Sequence, residues 1–460
     1  MNQLTNTTFD ALEVGMEASL TRLCVLDDLY VFAHASGNLN PLHMPEADGD
    51  GDGTPEAVAP AMWVASLISA VLGNRLPGPG TFYRAQSLKF LEQAHAGDEL
   101  TACVRLTAKG EGREVRFDTW VTRADGTTIC EGEAVVVAPA LTVSFDTGDV
   151  PGLTVRRHVH FDALLERAEP LPPIPTAVVA PEKADALNGA LLGARHTLIT
   201  PILIGDREKI AAAAQEIGAD LTGLEMLHEP DHGAAAAMAV ALVHEGRARA
   251  VMKGHLHTDL LLRHIVKRDG GLRGTRRLSH VFVMDVPGLN HLLLISDAAI
   301  NIAPDLECKV DIVQNAVDLA RAIGIEDPKV GVLSAVETVN PHIPSTLDAA
   351  ILSKMAERGQ IRGAVVDGPL AMDNAIDMEA ARTKGIKSLV AGRADILIAP
   401  NLEAGNLIAK ELTFLAHAEA GGIVLGAQVP VILNSRADDD KARLASCAVA
   451  ALYAEAQARG

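Results

Sequence analysis

Val429-Pro-Val-Ile-Leu-Asn-Ser-Arg-Ala-Asp-Asp-Asp440 reads as an apolar strand running into an acid-rich helix start, with a hydroxyl and a guanidinium at the turn between them. In an open α/β sheet, ligands bind beyond the carboxyl ends of the strands. Ser435 offers a donor to a developing oxyanion, and Arg436 offers a fork matched to phosphate oxygens. Asp438, Asp439 and Asp440 add candidates for a general base. The set points to chemistry on a phosphorylated or acyl-phosphate substrate. Taken alone, Ser435-Arg436 also reads as a helix cap, and the three Asp residues also suit the positive end of a helix.

The strand-then-helix unit recurs upstream. Residues 197–204, 248–252, 329–334, 364–367 and 395–399 are predicted as strands, and 207–217, 305–323, 344–358 and 402–416 as helices. This alternation argues for a largely parallel sheet with helices on both faces. Residues 1–145 have a different rhythm. An early helix from residue 26 and an apolar helix over 62–72 precede strand-like runs at 83–90, 99–108, 114–122 and 127–138, punctuated by Gly/Asp turns. One buried helix wrapped by a curved antiparallel sheet is the natural assembly. The pattern weakens over 141–157, ahead of Pro170-Leu-Pro-Pro-Ile-Pro175, which places a boundary near residue 150 and domains at 1–150 and 151–460. A chain of 460 residues exceeds one ordinary core, as this division requires.

The net charge of −19 argues against a nucleic-acid or membrane-surface partner, so an anionic ligand needs a local cationic patch. Arg263, Lys267, Arg268, Arg273, Arg276 and Arg277 cluster in the sequence, which makes Arg273 and Arg276 candidates for substrate contact. The five cysteines are scattered singly with no CxxC, so neither a disulfide framework nor a zinc site is expected. The first residues lack a secretory pattern, and the longest apolar run, 233–243, is too short to span a bilayer. A soluble, cytoplasmic protein is expected.

Beyond Ser435-Arg436, short signatures fall at predicted strand ends. They are Lys253-Gly-His-Leu-His-Thr258, Leu278-Ser-His280, Asp367-Gly-Pro-Leu-Ala-Met-Asp-Asn-Ala-Ile376, Lys384-Gly-Ile386 and Pro400-Asn-Leu-Glu-Ala-Gly-Asn406. In order and spacing, from about 198 to 449, this series resembles the phosphate acetyl/butyryltransferase family. The resemblance implies a two-lobed α/β fold like isocitrate and isopropylmalate dehydrogenases, with lobe I at about 160–288 and 422–460 and lobe II at about 289–421. It implies reversible acyl exchange between coenzyme A and phosphate, with coenzyme A as substrate and no other cofactor or metal. It gives Ser435 the transition state, Arg436 the acyl phosphate, and a following Asp the thiol proton. Ungapped spacing falls near Ala442, so Asp438, Asp439 and Asp440 all stay open, with Asp440 favoured. Lys253, Thr258 and Ser279 become phosphate contacts, and Asp367 and Asp373 cleft residues.

In the first half, Ala35-Ser-Gly-Asn-Leu-Asn-Pro-Leu-His43, Leu76-Pro-Gly-Pro-Gly-Thr-Phe-Tyr83 and Gln86-Ser-Leu-Lys-Phe-Leu91 resemble MaoC-like dehydratases over about residues 8–140. The resemblance implies a hot-dog fold and, in (R)-specific enoyl-CoA hydratases, a carboxylate and an imidazole that activate water. His43 takes the imidazole position, but Asn38 takes the carboxylate position. An amide can orient a water yet cannot accept its proton. The domain is therefore either a hydratase, making the chain bifunctional, or a non-catalytic acyl-CoA-binding or dimerisation module. The insertion Glu46-Ala-Asp-Gly-Asp-Gly-Asp-Gly-Thr54 opens like a calcium loop at Asp48, Asp50, Asp52 and Gly53. Its twelfth position is Ala59, so a flexible acidic loop is expected. Both resembled families commonly dimerise, so a homo-oligomer is expected.

Overall fold

The computed structural model describes residues 3–149, 153, 155, 158–433 and 440–459. The chain divides into two compact units, Met1–Val155 and Arg156–Gly460.

The first unit is built on the helix Ala61–Asn74, which Pro60 precedes at the N-cap. Its residues Trp63, Val64, Leu67, Ile68, Val71 and Leu72 are buried. Five antiparallel strands wrap it in the order Glu17–Leu23, Glu99–Lys109, Glu114–Arg123, Thr128–Val137, Phe82–Phe90. Along Glu99–Lys109 the burial is strictly alternate, with Leu100, Ala102, Val104 and Leu106 fully enclosed. This period of two is what a sheet with one covered face demands. Phe117 and Val121 of the next strand close the same core. The result is the hot-dog arrangement the sequence predicts.

The second unit holds an eleven-stranded sheet. Its order is Glu225–His228, Ile199–Gly205, Ile174–Val179, Ala250–Lys253, Val431–Ile432, Glu419–Leu425, Ser279–Asp285, Leu293–Ser296, Ile396–Ile398, Lys329–Leu333, Val365–Leu370. The first five strands are mutually parallel, and so are the last four. Ser279–Asp285 sits between antiparallel partners on both sides. The sheet is thus largely parallel, as the sequence leads one to expect, with antiparallel pairing confined to its centre.

Helices cover both faces. On one, Leu306–Ala322 and Asp440–Arg459 pack on Val281, Val283, Ile423, Leu425 and Ile432. On the other, His232–His244 and Thr258–Ile265 pack on Val251, Val424 and Val431. The apolar run noted in the sequence is thus a sheet-packing helix, with Ala235, Ala236 and Ala239 fully buried. No helix among the described residues is long and apolar enough to cross a membrane.

Both tryptophans, Trp63 and Trp120, lie in the first unit, so indole fluorescence reports on that unit alone. Phe117→Ala removes a fully buried ring and should cost about 3–5 kcal/mol there. Urea titration followed at the indole emission should show its midpoint fall well below that of the unmodified chain.

Candidate active site

Side chains alternate along a strand, and Ser279–Asp285 shows what that does to a motif. Ser279 faces the helix Leu306–Ala322, is fully buried, and its Oγ accepts from Asn315 Nδ2 at 2.9 Å. So enclosed, Ser279 does not line the cavity that the next residue faces, and this placement lends no support to its expected contact with phosphate. His280, the next residue, faces the opposite side and lines a cavity of about 460 Å³.

That cavity gathers residues from five segments. Lys253 closes the strand Ala250–Lys253, and His257, Thr258 and Asp259 open the helix Thr258–Ile265. His280 and Phe282 come from the central strand, Ala420 and Gly422 from its neighbour, and Ala299 and Ile300 from the loop after Ser296. Leu433, which follows Val431–Ile432, completes the wall. Strand register explains the meeting. Phe282 pairs with Gly422, and Val251 pairs with Val431, so Lys253, Leu433, Gly422 and Phe282 fall in one row across the sheet. Gly254 lets the chain turn there, since a Cβ would lie 2.4 Å from the Ala180 carbonyl oxygen.

The lining divides by chemistry. Lys253 supplies a cation and the start of Thr258–Ile265 the positive end of a helix, which together suit an anion. Leu256, Leu262, Phe282, Ile300, Ala420 and Leu433 form an apolar wall. Behind it, Asp297 is buried and accepts from the backbone N–H groups of His280, Ala299, Ile300 and Asn301. It ties the loop to the strand. Burial holds the His280 imidazole neutral, lowering its pKa to about 4 against a smaller opposing pull from Asp297.

Other expected site residues lie elsewhere. Ser435, Arg436, Asp438 and Asp439 fall outside the described residues. Asp440 begins the helix Asp440–Arg459, and its Oδ1 accepts from Asn188 Nδ2 at 3.1 Å. Arg276 is bound to Asp318 at 2.6 Å, and Arg277 to Glu307 and Asp311, both at 3.1 Å. Arg273 donates to the Val266 carbonyl. Carboxylates from the helix Leu306–Ala322 thus neutralise Arg276 and Arg277, which corrects the expectation of a cationic patch there. Arg276 borders a larger recess of about 710 Å³ with Asp318, Tyr453 and Gln457, but its charge is already answered. Asp367 accepts from the N–H of Gly368, and Asp373 pairs with Lys384 at 2.9 Å. The Lys384 ammonium holds the Asp373 carboxyl below its ordinary range. Neither Asp367 nor Asp373 lines the cavity.

Comparison with known proteins then decides the family. Residues 224–451 match the family model described as phosphate acetyl/butaryl transferase, and residues 9–126 match the MaoC like domain. A phosphate acetyltransferase of Rhizobium meliloti is 58% identical over 294 residues, which is 64% of this chain and 93% of that protein. The chain belongs to the phosphate acetyl/butyryltransferase family. A phosphate butyryltransferase of Clostridium acetobutylicum is 45% identical over 278 residues, covering 60% of this chain and 92% of that one. Among solved structures, a branched-chain phosphotransacylase from Enterococcus faecalis V583 aligns at 30% identity with a TM-score of 0.53. It covers 61% of this chain and 99% of that one.

The MaoC-like unit of this transferase-family chain carries a second constellation. His43 ends the short turn Pro41–His43, and its Nδ1 lies 2.8 Å from the Val58 carbonyl oxygen. That contact requires Nδ1 to carry the proton, which leaves the Nε2 lone pair available. Asn38 is exposed, and its Oδ1 accepts from the Asn40 N–H at 3.3 Å. The acidic insertion is ordered by its own backbone. Asp48 accepts from Gly51 and Gly53, Asp50 from Asp52, and Asp52 from Thr54. Carboxylate oxygens of Asp48, Asp50, Asp52 and Glu56 lie within 4.8 Å of one another. The sequence reading had not included Glu56, which binds the Gly49 N–H at 2.8 Å.

Ser279→Ala provides the check on this placement. Asn315 Nδ2 keeps its bond to the Arg277 carbonyl, so the loss should be about 0.5–1.5 kcal/mol of stability. The KM for phosphate in a coenzyme A release assay should stay within about twofold, because the hydroxyl never meets the cavity.

Proposed function

We propose that the second unit exchanges a short acyl group between coenzyme A and inorganic phosphate: acyl-CoA plus phosphate gives acyl phosphate plus coenzyme A. The observation that carries this reading is the cavity, which sets an anion-binding corner beside an apolar wall at the end of the strand leading to Ser435. Lys253 and the N–H groups at Thr258 would hold phosphate, and the acyl chain would lie along Phe282 and Ile300. In the direction of thioester synthesis, a carboxylate among Asp438, Asp439 and Asp440 takes the thiol proton. The thiolate needs this help because a thiol near its ordinary pKa is mostly protonated at neutral pH. Arg436 grips the acyl phosphate, and Ser435 donates to the carbonyl oxygen as it gains charge. This acyl transfer needs no cofactor beyond coenzyme A as substrate.

The two-lobed dehydrogenase-like arrangement belongs to the same proposal, with lobe I at about 160–288 and 422–460 and lobe II at about 289–421. The switch from one parallel block to another across an antiparallel centre supports it. A homo-oligomer in the cytoplasm is proposed as well; Leu407, Phe414 and Leu415 are each well over half exposed, an apolar surface that suits an interface.

A second reading, an active hydratase in the first unit, rests on the His43 tautomer. With Nδ1–H fixed on Val58, Nε2 can take a proton from water even though Asn38 only orients.

Purified chain given acetyl-, propionyl- or butyryl-CoA with phosphate should release free thiol, and none should appear without phosphate. Lys253→Ala should raise the KM for phosphate about tenfold or more with a smaller change in kcat. Silence with all three thioesters would defeat the acyltransferase reading. For the first unit, crotonyl-CoA absorbance should fall in the unmodified chain and persist in His43→Ala; no fall in either leaves a binding module.

A further inference from the structure

A buried polar side chain in a folded core ordinarily finds a hydrogen-bond partner. His280 does not. Only 2% of it is exposed, its Nδ1 is enclosed without a partner, and no bond to either ring nitrogen exists among the described residues. Its backbone is fully engaged, the N–H on Asp297 and the carbonyl on Ser296 Oγ. The ring is held edge-on to Phe282, with centroids 4.3 Å apart at 67°. The side chain is therefore positioned with care and left chemically idle.

The surroundings clear one nitrogen in particular. A Cβ at residue 422 would stand 2.8 Å from His280 Nε2, so the glycine there keeps that atom unobstructed on the cavity side. An enclosed lone pair without a partner costs less than an enclosed N–H without one. The single proton of the neutral ring accordingly sits on Nε2.

We propose that His280 is a further catalytic residue, whose neutral Nε2–H donates to the acyl carbonyl oxygen as that oxygen becomes an oxyanion. This rests on the acyltransferase reading of the cavity. In the step, the coenzyme A sulfur forms a bond to the carbonyl carbon, and the π electrons move to oxygen. The oxyanion then collapses, the carbon–oxygen bond to phosphate breaks, and phosphate leaves with the electron pair. The thiol proton goes to the carboxylate base. His280 neither gains nor loses a proton; it is a dipole aimed at the place where charge develops. Burial disfavours the charged ring, so the imidazole suits a hydrogen-bond donor better than a base. A neutral imidazole is a fitting electrophile for a carbonyl. The apolar wall places the acyl group next to it, since Phe282 touches the ring and lines the same cavity.

Three variants test it in the full chain with the thioester and phosphate assay. His280→Phe keeps a planar ring and removes the donor; kcat should fall about 10²–10³-fold, with both KM values within about threefold. His280→Gln returns an N–H at a similar reach and should recover about tenfold of that loss. Gly422→Ala retains the imidazole but sets a Cβ against its Nε2 edge, so the ring must shift and kcat should also fall, which keeps the test alive should His280→Phe fail to fold. An active unmodified chain whose Phe and Ala variants both retain kcat within threefold would overturn this role alone. A loss confined to the KM for phosphate would also overturn it, as the mark of a ground-state anion contact. An inactive unmodified chain would overturn the acyltransferase reading on which it stands.

Discussion

The side-chain alternation of one strand, Ser279–Asp285, governs the second unit. It is paired antiparallel on both edges, and both of its faces are covered. Such a strand cannot slip. A shift of one residue would drive His280 and Phe282 into the helical core that now holds Val281 and Val283, and would turn those valines toward the cavity. Each buried valine contributes about 1.5–3 kcal/mol by leaving water, so the register is fixed by packing that has nothing to do with chemistry. Catalytic geometry is inherited from it. The row Lys253, Leu433, Gly422, Phe282 exists because four strands agree on one alignment, and Asp297 then secures the loop that closes the wall.

The architecture was legible because its signals are periodic. Strict alternation over 99–106 and the βα rhythm after residue 175 each specify an element and the face it buries. The site was only partly legible. The Leu278-Ser-His280 signature marked the right turn of chain, yet nothing local says which of two adjacent polar residues faces the ligand. The answer lies in the partners of the strand, which turn Ser279 toward the helix Leu306–Ala322 and His280 toward the cavity. The basic cluster failed for a related reason. Arg276 and Arg277 look unopposed along the chain, but Asp311 and Asp318, some forty residues away, fold onto them. Asp297 was invisible for a third reason: its partners are backbone N–H groups, which leave no trace in residue identity. Strand pairing that placed 280 and 282 on one face could have exposed His280 from sequence.

The first unit shows how a single atom changes what a conserved-looking arrangement can do. His43 has the tautomer of a general base, fixed by the Val58 carbonyl. A carboxylate partner would stabilise the imidazolium formed when the base takes its proton, whereas the Asn38 amide offers only a dipole. In the acidic insertion, backbone N–H groups of Gly53 and Gly51 hold the Asp48 carboxyl below its ordinary range, and the Thr54 hydroxyl and N–H do the same for Asp52.

Electrostatics explains why a cation and a neutral ring divide the work in the transferase cavity. The chain carries −19 overall, and its substrates are anions, so some fixed positive charge must overcome repulsion before binding occurs. In the proposed reaction, Lys253 and the start of Thr258–Ile265 would meet that need in the ground state. A second cation at position 280 would hold the acyl phosphate and the departing phosphate alike, adding affinity without lowering the barrier. A neutral N–H discriminates better. It interacts weakly with a ketone-like carbonyl and strongly with the oxyanion that replaces it, and it requires no counter-charge in the apolar wall. The depressed proton affinity of His280 is thus the condition for its usefulness, and burial beside Phe282 and Gly422 is what supplies it.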